Sequence, residues 1–236
     1  MRFGQQLLLA LVMSIAGMNS ASAQCFDFTS FDFTNCYLAG SFSGDFLTMK
    51  GSGRNTNGNF DASGIENETN EGYGFAYGRE FDHCDYQIRM ESQYMFFDDS
   101  QFTLNSFPGP PGPYTFFYRG AFTERFAGLS NLWIDKPISE NLEVYAGGGI
   151  GWSHFEFAAS DGVVSSVKDD DDLAYQFGIG LTCKLLSNVE LDFGYRRLDL
   201  GNANTNLTTG GGAAAGNLNV DLDSDQLMLT LRVFRR

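Results

Sequence analysis

From Cys36 to the end of the chain, apolar and polar residues alternate in successive segments with a period of two, which predicts strands and not helices. The clearest case is Asp85 to Phe97. There Tyr86, Ile88, Met90, Tyr94 and Phe96 fall on one face, and Asp85, Gln87, Arg89, Glu91 and Gln93 fall on the other. The remaining predicted strands are Cys36 to Lys50, Gly72 to Phe81, Thr115 to Ile134, Asn141 to Phe157, Leu173 to Leu186, Val189 to Leu200 and a last strand ending in Gln226 to Phe234. Short connections follow the second, fourth and sixth strands: Asp82-His83-Cys84, Asp135 to Glu140, and Ser187-Asn188. Long connections follow the odd ones. These are a Gly/Asn/Glu-rich stretch to Glu71, a proline-rich loop from Asp98 to Tyr114, an acidic loop ending in Asp169 to Asp172, and a flexible Asn/Thr/Gly/Ala loop from Gly201 to Asn219. Four of the five prolines sit in the Asp98 to Tyr114 loop, where they interrupt no ladder. Alternating long and short connections, with an even strand count that leaves no open edge, predict an all-β fold. It is an eight-stranded antiparallel up-and-down transmembrane barrel with short periplasmic turns and long extracellular loops.

Composition sharpens this picture. The chain holds 28 Gly, 23 Phe and 10 Tyr, yet its mean hydropathy is only -0.19, as expected of a barrel that is apolar outside and polar inside. No later segment supplies the ~20 consecutive apolar residues of a membrane helix. Near the start, Arg2 precedes an apolar run from Leu7 to Ala16 and then Ala21-Ser22-Ala23, the pattern of a cleaved export signal. The expected organisation is therefore a signal peptide at 1–23, a periplasmic segment at 24–35 and a barrel domain at 36–236. Gln24 before Cys25 argues against a lipid anchor. The net charge of -14 argues against a nucleic-acid partner. A soluble lipocalin-type barrel is the alternative fold. It lacks support because the connections alternate in length and the first strand has no Gly-x-Trp motif.

Strand parity sends Arg89, Glu91, Lys184, Glu190, Asp192 and Arg196 into the lumen, three cations against three anions. Buried charges must be paired, and an eight-stranded interior is just wide enough for side chains to fill it. The set therefore reads as a salt-bridged plug, with a narrow pore for small solutes as the alternative. The acidic groups Asp169 to Asp172 and Asp221/Asp223/Asp225 have oxygen ligands suited to calcium but lack the glycine and distal glutamate of a calcium loop. They read as a solvated rim above the bilayer, and no metal, cofactor or catalytic residue is expected. Four cysteines in an exported chain suggest oxidation. Cys25, Cys36 and Cys84 all fall at the periplasmic end, so one disulfide joining Cys36 or Cys25 to Cys84 is expected, with Cys183 free. Between Cys25 and Cys36 lies a near repeat, Phe26-Asp27-Phe28-Thr29 and Phe31-Asp32-Phe33-Thr34, to which the residues assign no role.

The segments Val144 to Trp152 (VYAGGGIGW), Leu173 to Leu181 (LAYQFGIGL), Val189 to Leu200 (VELDFGYRRLDL) and the closing strand resemble the small eight-stranded outer-membrane barrels. That group includes the outer membrane protein A transmembrane domain and the opacity-type surface proteins. The resemblance implies a Gram-negative cell-surface protein with a scaffold barrel, recognition on external loops, and outer-membrane lipid, lipopolysaccharide and the barrel assembly machinery as partners. Such barrels end in an aromatic residue, whereas here Arg235 and Arg236 follow Phe234. Barrel lipid A deacylases pair a histidine with a serine two residues away. Ser153 and His154 are adjacent and so point to opposite faces, which argues against an enzyme.

Overall fold

The computed structural model describes residues 35–56, 60–83, 85–107 and 117–235. They form nine strands: β1 (Cys36–Asn55), β2 (Phe60–His83), β3 (Tyr86–Phe97), β4 (Ser100–Phe107), β5 (Phe117–Ser139), β6 (Leu142–Ser160), β7 (Val164–Leu186), β8 (Val189–Thr209) and β9 (Ala214–Arg235). All pairings are antiparallel, and β1 pairs with both β2 and β9, so the ring is closed. Both β3 and β4 lie between β2 and β5. They are one stave interrupted at Asp98-Asp99, and the nine strands make an eight-stave barrel.

The staves are longer than the alternation of the sequence suggested. β1 has 20 residues, about 66 Å of strand at ~3.3 Å per residue. Tilted by about 40°, it rises roughly 50 Å, against an apolar band of about 25 Å. The excess lies on the external side. Most of what the sequence presented as long loops is strand. The Gly/Asn/Glu-rich stretch opens β2, Ser100 to Phe107 forms β4, Asp169 to Asp172 lie within β7, and most of Gly201 to Asn219 is divided between β8 and β9. The expected turn at Asp135 to Glu140 also shortens, because β5 continues to Ser139.

The polarity of the wall inverts along its height. In the lower part Leu38, Phe42, Phe75, Leu132, Phe177, Ile179, Phe193, Leu229 and Leu231 face outward and are exposed, whereas Ser43, Glu91, Asp192 and Thr230 face inward and are buried. Tyr73, Tyr94, Trp152, Tyr175 and Tyr195 are exposed toward the upper end of that apolar surface, as an interfacial girdle requires. Above it the sense reverses. Along β9, inward Arg232, Thr230, Gln226 and Ser224 give way to Leu222, Val220 and Leu218. Along β1, Asp45 gives way to Leu47 and Met49. The outer face now carries Lys50, Arg197, Asp223 and Asp169. The outer end thus has an apolar core inside a polar wall.

A bulge in β8 keeps this phase. Residues of β8 face inward at even positions up to Leu200 and at odd positions from Ala203, and the register with β9 shifts between Asp199 and Asn202. Gly201 absorbs the shift with φ of +88°, and a Cβ there would clash with the Asp172 carboxylate. A left-handed non-glycine residue costs about 1–2 kcal/mol, and the clash adds to it. Gly201→Ala is therefore expected to lower the unfolding free energy by at least that amount, as read from urea titration of the folded form in detergent.

Candidate functional site: a packed interior and two seams

The lower interior is built on Arg232, which the sequence reading did not single out. Its guanidinium is fully buried and pairs with Glu80 (3.0 Å), Glu190 (3.1 Å) and Asp192 (2.8 Å). It also donates to Thr182 Oγ1 at 2.9 Å. Arg89 pairs with Asp135 (3.1 Å) and Asp192 (3.2 Å) and lies over the Tyr145 ring. Tyr145 reaches this position because Gly180 and Gly194 leave room for it; a Cβ on either would lie within 2.5 Å of the ring or its hydroxyl.

Of the six expected lumen charges, Arg89, Glu190 and Asp192 belong to this network. Glu91 sits one layer higher, accepting hydrogen bonds from Tyr37 (2.7 Å) and Asn131 (3.0 Å). Arg196 donates to Gln93 at 2.7 Å and lies 4.6 Å from the Trp133 ring centre. Lys184 lies at the periplasmic rim, half-buried, and pairs with Glu143 at 2.5 Å. The additional members Arg232 and Glu80 were legible by parity. Leu231 and Val233 face lipid, so Arg232 faces in. On β2, Tyr73, Phe75 and Tyr77 face lipid, and the same counting turns Glu80 inward. Asp135 was hidden because its segment read as a turn.

A second buried group marks the boundary between polar and apolar interior. Arg125 enters through a β5 bulge at which Glu124 has φ of +52°. Its Nε donates to the Asp98 carbonyl at 2.9 Å, and Nη2 lies 3.8 Å from Asp45 Oδ2. The Asp98-Asp99 interruption is thereby pinned to the barrel interior. Above this level Phe122 packs against Phe102, Phe155 and Phe157 with ring centroids 4.8–5.6 Å apart. Leu198, Leu218 and Val220 are also fully buried in the same core. Burial pushes the Tyr118 hydroxyl at its edge up to about 12, so it stays neutral at physiological pH.

Two seams interrupt the ladder around this core. The β7–β8 ladder stops at Ser165/Thr208 and resumes at Tyr175/Asp199. The β2 ladder leaves β3 at Gly72 and meets β4 only at Ser63 to Asp61. In ring order the seams are four staves apart. Between them, β4, β5, β6 and β7 form one four-stranded sheet and β8, β9, β1 and β2 another. Side chains bridge both gaps from inside. Glu68 accepts from the Gln101 amide (3.0 Å), and Glu66 from the Thr103 amide. Asp172 accepts from the Asn202 amide (2.7 Å), and Lys168 donates to the Asn204 carbonyl (2.8 Å).

A closed antiparallel ring with an apolar belt and a polar lumen is the architecture of outer-membrane barrels. The model of the outer membrane protein beta-barrel domain family matches residues 7–224. The chain belongs to that family. As a member of the outer-membrane barrel family it is a protein of the outer membrane, and its apolar belt faces lipid. Among solved structures, it is similar to the outer membrane protease OmpT of Escherichia coli at 10% identity. That match covers 89% of this chain and 100% of the other, with a TM-score of 0.54. Neisserial surface protein A matches at 11% identity over 86% of this chain and 98% of the other, with a TM-score of 0.43. The outer membrane protein AlkL matches at 18% identity over 93% and 97%, with a TM-score of 0.39. At these identities the likeness is one of fold. Comparison with curated proteins finds no match.

Ser153 is buried and donates to the Leu200 carbonyl, while His154 faces outward and meets Asp171 at 2.8 Å, so the two do not form a pair. Asp221, Asp223 and Asp225 face outward above the belt. Asp223 and Asp225 are engaged by Lys50 and Arg197, and Asp221 by the Asn202 side-chain amide. Among the described residues no group of three or more His, Cys, Asp or Glu is arranged to hold a metal. Cys36 and Cys183 carry free thiols, and Cys36 accepts from the Tyr77 hydroxyl. Cys25, Cys84 and the Phe-Asp-Phe-Thr repeat lie outside the described residues, as does residue 236.

Proposed function

We propose that the chain is a non-enzymatic surface barrel whose lumen does not conduct, and whose external half presents a rigid β-walled head for recognition. The observation that carries this reading is the filling of the interior at two levels. A charged network around Arg232 and Arg89 is followed by an apolar core in which Leu47, Phe122, Phe157, Leu198 and Leu218 are buried. An ion crossing the membrane through the barrel would have to displace both. The polar plug alone would leave a gated pore conceivable on physical grounds; the apolar layer above it supplies a desolvation barrier as well. Recognition then falls to the outer wall and its turns, which carry most of the acidic surplus. Outer-membrane lipid and lipopolysaccharide surround the belt, and the barrel assembly machinery inserts it.

Purified full-length protein in a planar bilayer is expected to give no resolved current steps. Steady single-channel steps would replace this reading with that of a small-solute channel. Export through a cleaved signal belongs to the same reading, and N-terminal sequencing of the outer-membrane form is expected to begin at Gln24. A start at Met1 would remove it.

A further inference from the structure

The β7–β8 seam leaves one strand edge facing away from its neighbour in the ring. Lys184 N donates to Asn141 O, and Asp161 N donates to Val164 O. The β6–β7 register is unbroken between these points. In an antiparallel ladder such hydrogen-bonded pairs recur every second residue, so the even-numbered residues of β7 bond to β6. The N–H and C=O groups of Val167, Asp169 and Asp171 therefore point to the opposite edge, where β8 would stand in an uninterrupted ladder.

β8 is displaced inward there. The Ser153 hydroxyl of β6 bonds the Leu200 carbonyl of β8, although β7 lies between these strands in ring order. Neighbouring strands are ~4.8 Å apart, so strands two places apart in a regular sheet lie beyond the reach of a serine side chain. The contact requires β8 to cross the inner face of β7. The bridging side chains agree. Ser166, Lys168 and Asp172, which bond Thr205, Asn204 and Asn202, are all even-numbered and stand on the inner side of β7.

The outer side of the same edge is marked chemically. Val167 is 82% exposed, more than any other large hydrophobic residue described. Beside it the carboxylates of Asp169 and Asp171 flank the outward His154 of β6 at 3.5 and 2.8 Å and still keep 71% and 76% of their surface exposed. An open backbone edge, an apolar side chain and two carboxylates on alternate positions match an extended segment that supplies backbone pairing and positive charge.

We propose that residues 166–172 of β7 form a docking edge on which a basic, extended polypeptide adds as a further strand; beyond them the Leu173 amide is already taken by Asp172 Oδ1 at 2.7 Å. The inference rests on the reading of the external half as a recognition head and names the chemistry of its partner. A test uses the full-length protein in detergent micelles and a synthetic peptide of alternating lysine and valine, titrated by calorimetry. A peptide of alternating glutamate and valine serves as the control. The lysine peptide is expected to bind at micromolar concentration and the glutamate peptide at least tenfold more weakly. Val167→Pro removes an N–H that points to the open edge and leaves the β6 ladder complete, so it is expected to weaken lysine-peptide binding tenfold or more while heat-modifiable migration persists. Asp169→Asn with Asp171→Asn is expected to weaken it similarly, and this pair tests the edge even where the proline variant fails to fold. Binding that both sets of variants leave unchanged, or no binding at all, would overturn the proposal. So would self-association of the wild-type protein abolished by Val167→Pro, which would assign the edge to a second copy. None of these outcomes depends on whether the lumen conducts, so the two readings fail separately.

Discussion

Arg232→Met is expected to cost about 3–5 kcal/mol of stability, the range for breaking a buried ion pair while its partner stays charged. The size follows from position. Arg232 is the shared cation of Glu80, Glu190 and Asp192. Methionine fills much of the same volume, so what is lost is charge and not packing. Three carboxylates would then crowd one site with Arg89 as their main remaining cation. Urea titration of the folded band in detergent measures the loss. Arg197→Met provides the comparison, because that ion pair lies on the outer wall above the belt and such pairs contribute about 0–1 kcal/mol. Adding Glu190→Gln to Arg232→Met is expected to recover part of the loss by removing one stranded charge. A cost below about 1 kcal/mol for Arg232→Met would mean that water reaches the network and screens it.

How far these features could be read from sequence depends on the solvent each part of the strand faces. Inside the belt, Leu227, Leu229, Leu231 and Val233 alternate with Gln226, Met228, Thr230 and Arg232, and the alternation is strong enough to place every side chain. Beyond the belt the same rule holds with opposite sense and smaller side chains. Ala203, Thr205 and Leu207 face in while Asn202, Asn204 and Asn206 face out. Composition there is Asn, Thr, Gly and Ala, which signals turns, and the flip of phase at Gly201 breaks the count. The head therefore read as loops. Glu66 and Glu68 were hidden for a related reason. An inward carboxylate looks like a break in a strand, but at a seam it takes the amide that a missing neighbour would have taken.

The inversion also explains how one closed sheet serves two environments. Lipid demands apolar groups outside, so the polar residues left inside must satisfy one another, and they do so through arginines shared among carboxylates. Water demands the reverse, and a ring of eight staves can bury apolar side chains more closely when drawn into two facing sheets. The seams are the cost of that change in cross-section. They open where the apolar core begins and close again at the top, where β2 meets β4 and β7 meets β8.

Phe122→Ala separates the two halves energetically. Phe122 is fully buried among Phe102, Phe155 and Phe157, and truncating such a ring costs about 3–5 kcal/mol in transfer and cavity terms. Nothing in the Arg232 network touches it. The apolar core reaches down to Met95, Leu129 and Met228 in the belt, but the rings packed on Phe122 stand in the head, so the loss is expected to fall there first. Limited digestion of intact cells by an external protease is expected to cut the variant within 56–71 or 161–174 while sparing the wild type. The membrane-embedded remainder should still migrate as a heat-modifiable barrel. Local opening of this kind requires a head whose stability lies below that of the belt. If the variant instead loses both halves together at one urea concentration, the barrel unfolds as a single cooperative unit, and the head owes its order to the belt beneath it and not to its own core.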